Sequence, residues 1–409
     1  MNTPLASLLF TIFITIFVAW TSRRESGFFA KLYKWVPSIL LLYLLPAVAV
    51  NVGMVTPGAS VRLLAMDTAL PLCLIILTAI VNIPELLKIS RPGLLAFFAG
   101  TAGIVMGGPI ALAIVGIFLP EVLANQGPDS VWKGLICITG GWINGTPGQL
   151  SMKEVYGASE EIFLTALAAD ILLQNAWLIF LLYSVRFQNS INKVFLGKTS
   201  VDTNLVDDEE LETEEKQPLQ YPGLRPWLLI AGTMVLVLVL SPLIAHAFSA
   251  ITGDDPSENW SFLGKKSLWL VLLSTTFGLA LSLTGLFQHH LRFWTGLGNL
   301  LLFFVIASIG LQLDLQEVNF QLSFLVIGVI WLLFHLVLLL AAVRLFRAPW
   351  HFAAIGSQAN IGGPASASVV ASAFHPSLVS LGVLLGVLSN VIGNYANLVA
   401  GMLFQWVAN

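Results

Sequence analysis

The chain has 409 residues, of which 57% are hydrophobic and only 10% are charged, whereas soluble globular proteins carry about 25% charged residues. This composition excludes a sizeable soluble domain and predicts an all-α membrane protein, because each spanning helix takes roughly 20 apolar residues. The net charge of −3 provides no basic surface for nucleic acid, and two cysteines are too few for a disulfide or zinc framework.

Twelve apolar segments follow one another along the chain and fall into two groups of six. The first group covers about 4–20, 36–54, 64–82, 93–119, 131–153 and 160–185. The second group covers about 226–250, 267–287, 296–313, 321–343, 350–374 and 377–405. We interpret the first segment as a retained helix rather than a signal peptide, because Arg23 and Arg24 follow it and no basic residue precedes it.

Polar residues 187–224 separate the two groups. Their core, 202–215, has eight acidic residues in fourteen positions and cannot lie in a bilayer. We therefore expect a first membrane repeat at 1–186, an acidic cytoplasmic linker at 187–224 and a second membrane repeat at 225–409. The linker is either a hydrophilic connector or a regulatory or partner-binding strip.

The fifth and eleventh segments contain residues that interrupt a helix. Gly145 and Pro147 lie in the fifth segment, and a Gly-Gly-Pro run, 362–364, lies in the eleventh. Shifted by 217 residues, Pro147 aligns with Pro364 and Gly145 with Gly362. Interruptions at matching places in two halves indicate broken or re-entrant helices. The alternative is that both are kinks for tight packing.

The distribution of Lys and Arg favours re-entrant segments over full crossings. If the fifth and eleventh segments enter and leave on the same side, 14 of the 19 basic residues lie in cytoplasmic loops. If both segments cross, only nine do. We therefore predict ten transmembrane helices plus two broken or re-entrant segments. Five crossings per half make the second half inverted relative to the first, with the N-terminus outside and the linker in the cytoplasm.

The candidate site residues lie around the two interruptions and within the last segment of each half. No soluble-enzyme motif occurs, so we expect no enzymatic activity, no catalytic residue, no metal site and no cofactor beyond Na⁺ or H⁺ as a coupling ion. Half-helix N-termini suit a carboxylate, and unwound carbonyls suit sodium. The substrate-binding candidates are Asn144, Gly145, Thr146, Gln149, Ser357, Gln358, Asn360, Gly362, Gly363 and Ser366. The ion-coupling candidates are Asp170, Gln174, Asn390 and Asn394.

Structural roles compete with these assignments. Asp170 lies in an otherwise apolar segment, where it binds a coupling ion or instead pairs structurally. The asparagines of the last segment bind cation and substrate or join helices. We expect Gly382 and Gly386 to permit close packing, and His335 to make an interhelical hydrogen bond.

Several motifs resemble the YjcL-like family of multispanning membrane proteins, and the resemblance covers nearly the whole chain except the linker. The most specific stretch is ANIGGPASASVVASAF at 359–374, and LYLLP at 42–46, GTAGIVMGGP at 100–109 and Asp170 also match. The chain departs from the family at Asn144-Gly-Thr-Pro-Gly-Gln149, where a Gly-Gly-Ser-Ala-Asn-like break is typical. The family is similar to the superfamily of cation/proton antiporters and anion transporters. That similarity implies inverted repeats, a core carrying the breaks, a separate scaffold and an elevator-type movement.

These observations predict a secondary active transporter of a small organic solute that carries a carboxylate, such as an amino acid, carboxylate or short peptide, coupled to sodium or protons. The alternatives are a monovalent cation/proton antiporter and a non-transporting receptor or assembly protein. The expected partners are the solute and the lipid bilayer, with a homodimer as an option. The expected location is the bacterial inner membrane.

Overall fold

The computed structural model describes residues 4–24, 26–33, 38–56, 59–124, 127–197, 220–252, 261–313 and 321–408, and the regular secondary structure in these ranges is helical. The first half contains α1 (Pro4–Thr21), α2 (Gly27–Leu32), α3 (Ser38–Asn51), α4 (Ala59–Leu64), α5 (Leu70–Ala79), α6 (Ile83–Leu86), α7 (Arg91–Phe118), α8 (Glu121–Ala124), α9 (Val131–Tyr156), α10 (Glu160–Ser184) and α11 (Gln188–Leu196). The second half contains α12 (Leu224–Thr252), α13 (Lys266–Ser282), α14 (Leu291–Gly310), α15 (Leu322–Phe346), α16 (Trp350–Phe374) and α17 (Val379–Ala408). A π-helical turn, Ala65–Ala69, joins α4 to α5. Each of the twelve predicted apolar segments contains a helix, which confirms their prediction.

Eight helical stretches in the described residues are long and apolar enough to cross a membrane. They are Pro4–Thr21, Ala59–Ala79, Arg91–Phe118, Glu160–Leu196, Leu224–Ile251, Gln288–Gly310, Leu322–Phe346 and Pro376–Ala408. Two shorter apolar helices lie at Leu40–Asn51 and Lys266–Ser282. These stretches correspond to the ten segments that the sequence predicts as crossings, and α9 and α16 correspond to the two that it predicts as broken.

The helices form two compact units. The described residues of unit 1 fall within Met1–Ile80, Gln217–Ala247 and Lys266–Asn319. One of its hydrophobic clusters joins α5, α12 and α14, because Ile76, Ile230 and Trp294 pack together in it. A side chain at Gly298 would collide with Leu77, so α14 and α5 approach closely there.

Unit 2 contains both broken helices. Its described residues fall within Val81–Lys216, Phe248–Lys265 and Phe320–Asn409. Small residues of α7 allow α15 to approach, since a Cβ added at Gly103 would lie 3.2 Å from the Cα of His335. The indole Nε1 of Trp331 on α15 donates a hydrogen bond to the carbonyl of Ile104 on α7, with a length of 3.0 Å.

Each unit takes the same ordinal helices from both halves of the sequence. The helices of the first three apolar segments of each half lie in unit 1, apart from the C-terminal end of α12, and those of the last three lie in unit 2. The predicted repeats therefore differ from the compact units, each of which combines parts of both. Helix α11 occupies the beginning of the predicted linker, whose acidic core at 202–215 lies outside the described residues.

Candidate functional site

Helix α9, hereafter hairpin 1, is interrupted at its centre. Asn144 has φ −128° and ψ 15°, and Gly145 has φ 62° and ψ −161°, so neither residue is helical. The conformation of Gly145 belongs to a region that is essentially restricted to glycine. Pro147 follows at the start of the second half-helix, where a proline fits because the first N–H groups of a helix have no intrahelical partner.

The two halves of hairpin 1 fold back on each other. The rings of Trp132 and Tyr156, near its two ends, have centroids 5.6 Å apart, whereas a straight helix would separate these residues by about 36 Å. A Cβ added at Gly140 would lie 2.5 Å from the carbonyl oxygen of Gly148 across the break. The segment therefore begins and ends at the same end of the unit, as a re-entrant hairpin does and a simple kink does not.

Helix α16, hereafter hairpin 2, folds back in the same way. Gly363 has φ 70° and ψ −168°, close to the values of Gly145, and Pro364 follows it directly. The rings of His351 and Phe374 lie with centroids 6.3 Å apart at the base, against about 35 Å in a straight helix. The alignment of Gly145 with Gly362 was wrong by one residue, since the matching backbone geometry lies at Gly363.

The tips of the two hairpins meet on α17. The hydroxyl of Ser389 donates to the carbonyl of Ile143 in hairpin 1 at 2.5 Å, and lies 3.4 Å from the Oδ1 of Asn360 in hairpin 2. Asn144 donates to Asn394 at 2.9 Å. Ser389 therefore joins both tips through one side chain.

The hairpins lie along opposite ends of α17. Hairpin 2 packs against Gly382 and Gly386, because a Cβ at Gly382 would lie 2.8 Å from the carbonyl oxygen of Ala367. Hairpin 1 packs toward the other end, where the hydroxyl of Tyr156 donates to the carbonyl of Leu398 at 3.3 Å. The close packing predicted for Gly382 and Gly386 is confirmed, and the two hairpins approach the middle of the unit from opposite directions.

Helix α10 contacts both hairpins. The amide of Gln174 donates to the carbonyl of Ile361, two residues before Gly363, as Ser389 donates to the carbonyl two residues before Gly145. The helix of the last apolar segment of each half, α10 or α17, thus satisfies a carbonyl left free at the break in the other half. Trp177 donates to the hydroxyl of Ser357 at 2.9 Å, which ties α10 to the first half of hairpin 2.

Asp170 lies on α10 against hairpin 1, with 7% of its surface exposed. Its Oδ1 accepts a hydrogen bond from the indole Nε1 of Trp142 at 2.6 Å, and its Oδ2 accepts one from the amide of Gln149 at 3.3 Å. Among the described residues no basic side chain pairs with it. The buried Lys153 pairs instead with Glu160, at 2.9 Å.

A second polar network fixes the first half of hairpin 2. Asn360 accepts from the hydroxyl of Thr101 at 2.9 Å and donates to the carbonyls of Phe97 and Gly356. His335 hydrogen-bonds to Ser357 at 2.8 Å, so the interhelical bond predicted for it is confirmed. These contacts join α7, α15 and α16 just below the tip.

The structure brings most of the predicted site residues together. Those at the two tips are Asn144, Gly145, Thr146, Asn360, Gly362, Gly363 and Asn394. Gln149 contacts Asp170, Gln174 contacts hairpin 2, and Ser366 donates to the carbonyl of Gly363 at 3.4 Å. Gln358 is fully buried with its amide nitrogen at the tip of hairpin 2, because a Cβ added at Gly362 would collide with it. The remaining two candidates lie apart from these contacts: Ser357 supports the first half of hairpin 2, and Asn390 is half-buried with no side-chain hydrogen bond to a described residue.

Sequence reasoning missed three residues of this site, namely Trp142, Ser389 and Thr101. Trp142 lies in the fifth apolar segment, where a tryptophan is expected to be a packed core residue. Ser389 directly precedes the candidate Asn390 in the last segment, and a polar residue at that place is the signal that could have identified it. Within the described ranges, no group of three or more His, Cys, Asp or Glu side chains is placed to hold a metal ion.

Two comparisons with known proteins match nearly the full length. The family model described as "Protein of unknown function (DUF819)" matches residues 9–407. The "Uncharacterized membrane protein YjcL" of Bacillus subtilis (strain 168) is 26% identical over 403 residues, which cover 96% of this chain and 96% of that protein.

Proposed function

Since the chain belongs to the DUF819 family and is an integral, multi-pass membrane protein, we propose that it is a secondary active transporter of a small organic solute. The observation that carries the proposal is the meeting of two broken hairpins at the middle of α17. Irregular backbone at membrane depth is tolerated only where protein buries it or where it lines a water-filled cavity. Transporters place their solute sites at such breaks.

The repeated geometry supports an inverted repeat. Each half supplies one hairpin with a positive-φ glycine at its tip, and the hairpins approach from opposite ends of α17. If α17 spans the bilayer, hairpin 1 enters from one side and hairpin 2 from the other. This arrangement fits five crossings per half and a cytoplasmic linker. Alternating access would then expose the tips to each side in turn, with unit 2 as the moving core of an elevator and unit 1 as the scaffold.

The chemistry at the tips favours a solute that carries a carboxylate. The half-helices that follow Gly145 and Gly363 begin at the tips, so their first N–H groups point toward the site and favour an anion. The amide side chain of Asn144, which Asn394 holds at the tip of hairpin 1, supplies a further acceptor and donor. Amino acids, small carboxylates and short peptides combine a carboxylate with groups that such amides can bind.

Asp170 is the ion-coupling candidate that the geometry supports best, because it is a buried carboxylate in contact with hairpin 1. Gln174 and Asn394 serve as contacts to the hairpins, so we assign them to positioning the tips. A cation/proton antiporter remains the second candidate function, and Asp170 is the observation that favours it. The absence of a second acid in contact with Asp170 among the described residues favours the solute transporter.

A ligand screen tests the proposal. Purified protein would be heated with amino acids, dicarboxylates and dipeptides, each with and without sodium, because a ligand at 100 times its Kd stabilises the folded state by about 2.7 kcal/mol. We expect at least one carboxylate solute to raise the melting temperature of the wild type. The Gly363→Ala protein should lose this response, whereas Gly285→Ala, which changes another glycine with φ 70° and no neighbour within 4 Å, should keep it. An equal thermal shift in both variants would refute the claim that the hairpin tips form the solute-binding site.

A further inference from the structure

We propose that the coupling ion is a proton carried by Asp170, and that Gln149 detects this proton by reversing the direction of its side-chain amide. The inference rests on the proposed function only in that transport is the process the proton would drive. The proton site itself follows from three side chains, Asp170, Trp142 and Gln149, and from their place between the two halves of hairpin 1.

The two side chains that hydrogen-bond to Asp170 both donate hydrogens to it. Trp142 donates to Oδ1 at 2.6 Å and Gln149 donates to Oδ2 at 3.3 Å. An indole N–H is a donor only, so Trp142 cannot turn an acceptor toward a cation. Sodium in transporters is coordinated by oxygens such as unwound carbonyls. Both described hydrogen bonds of Asp170 are those of a carboxylate that accepts, and neither supplies an oxygen to a sodium ion, so they favour a proton as the bound ion.

The donors also determine where the proton binds. Oδ1 stays bonded to the indole in either state, because Trp142 has no acceptor to offer a hydroxyl. A proton taken from water therefore binds Oδ2, the oxygen that faces Gln149. The new O–H of Asp170 and the NH₂ group of Gln149 would then both be donors that face each other, with no acceptor between them. The amide turns over, so its oxygen accepts the O–H, and loss of the proton to water reverses the change.

This reversal takes place inside hairpin 1. Gln149 belongs to the half-helix after the break, and Trp142 belongs to the half before it. A Cβ added at Gly141 would lie 3.1 Å from Oδ2 of Asp170 and 3.2 Å from the amide nitrogen of Gln149, so these groups are packed where the halves face each other. Protonation of Asp170 on α10 therefore changes how closely the two halves of hairpin 1 pack. This change in packing moves the tip that contains Asn144.

The other titratable groups on the helices packed against α10 are engaged elsewhere or lie away from Asp170. Lys153 pairs with Glu160 and Glu154, and His335 bonds to Ser357. None of the charged groups on these helices or on α10 itself makes a hydrogen bond or ion pair with Asp170 in the described residues: Lys133, Lys153, Glu154, Glu160, Glu161, Arg186, His335, Arg344 and His351. A titration assigned to Asp170 can therefore be separated from theirs by substitution.

Infrared difference spectroscopy of the purified full chain tests both parts. Spectra at low minus high pH should differ between the wild type and Asp170→Asn by the C=O stretch of one protonated carboxyl, because the other acids of the 22 are common to both proteins. The titration midpoint should be the same in NaCl and in choline chloride of equal ionic strength. A sodium-dependent midpoint, or a spectrum unchanged in Asp170→Asn, would overturn the assignment.

The same spectra test the amide reversal. A glutamine side-chain band should change with pH in the wild type and vanish from the difference spectrum of Gln149→Leu, while the carboxyl band remains. Gln405→Leu is the matched control, because Gln405 is also buried in unit 2 without contact to Asp170, and it should keep the glutamine band. Persistence of that band in Gln149→Leu protein that has been shown to be folded would refute the role of Gln149.

Uptake separates this proposal from the proposed function. In proteoliposomes, Asp170→Asn should exchange solute across the membrane yet lose accumulation driven by a pH gradient. Accumulation driven by sodium alone would refute the proton and leave the transporter intact. The infrared result without transport of any solute would leave the proton site intact and refute the transporter.

Discussion

Replacement of Gly363 by alanine perturbs the tip of hairpin 2 without a steric clash. No atom lies within 4 Å of the position that the new Cβ would occupy, so the effect comes from the backbone alone. With φ 70° and ψ −168°, Gly363 lies in a region that costs another residue about 1–3 kcal/mol. If the native tip competes with a relaxed one of similar free energy, this cost lowers the ratio of native to relaxed tip by roughly 5- to 150-fold.

The assay is the initial rate of uptake into proteoliposomes of the solute that gives the largest thermal shift. We expect Gly363→Ala to lose at least about two-thirds of the wild-type rate, which corresponds to the lower end of that range when the two tips start with equal populations. Gly285→Ala has the same positive φ and equally open surroundings but lies in unit 1, and it should transport at the wild-type rate. Wild-type uptake by Gly363→Ala, with the protein shown to be folded, would refute the claim that the tip geometry matters.

Three further predictions concern topology and packing. Single cysteines placed at Ser200, Thr213 and Ser257, all three outside the described residues, test the topology. Those at Ser200 and Thr213 should resist an impermeant thiol reagent in intact cells while the one at Ser257 reacts, and labelling of the first two would contradict the inverted repeat. Ser389→Ala should destabilise the protein by about 1 kcal/mol because the carbonyl of Ile143 loses its hydrogen-bond donor. The control Ser372→Ala removes an exposed hydrogen bond within one helix and should not destabilise it. Equal unfolding midpoints of the two variants would contradict a stabilising hydrogen bond between Ser389 and Ile143. Gly386→Ala should destabilise the protein by about 1–3 kcal/mol because its Cβ would collide with the backbone of Pro364. The control Gly232→Ala on α12 meets nothing within 4 Å and should stabilise the protein by up to about 1 kcal/mol. Effects of the same sign would contradict the close packing of α17 against hairpin 2.

The helices were predictable because membrane insertion imposes long apolar runs, and the runs at 93–119 and 350–374 match α7 and α16 within about two residues. The breaks were predictable because Gly145 and Pro364 disfavour a continuous helix. The family resemblance is confirmed by the match over residues 9–407.

The joints between the halves were not predictable from the sequence. Ser389 reaches Ile143 across 246 positions, and no local pattern reports such a contact. The one-residue error in the alignment of Gly145 has a similar origin. Aligning the two prolines places Gly145 on Gly362, whereas the backbone conformation matches Gly145 with Gly363. The sequence predicted Asp170 as an acid within a membrane segment. It did not predict the two hydrogen-bond donors of Asp170, because both belong to hairpin 1, which contacts α10 only in the folded structure.

Solute accumulation in proteoliposomes tests the central claim most directly. Vesicles containing only this protein would be given an inward proton gradient and a labelled carboxylate solute selected by thermal shift. The account predicts accumulation above the external concentration, which collapses when a protonophore dissipates the gradient and is missing in Gly363→Ala. Failure of the wild type to accumulate any solute that stabilises it, under either a proton or a sodium gradient, would contradict the account.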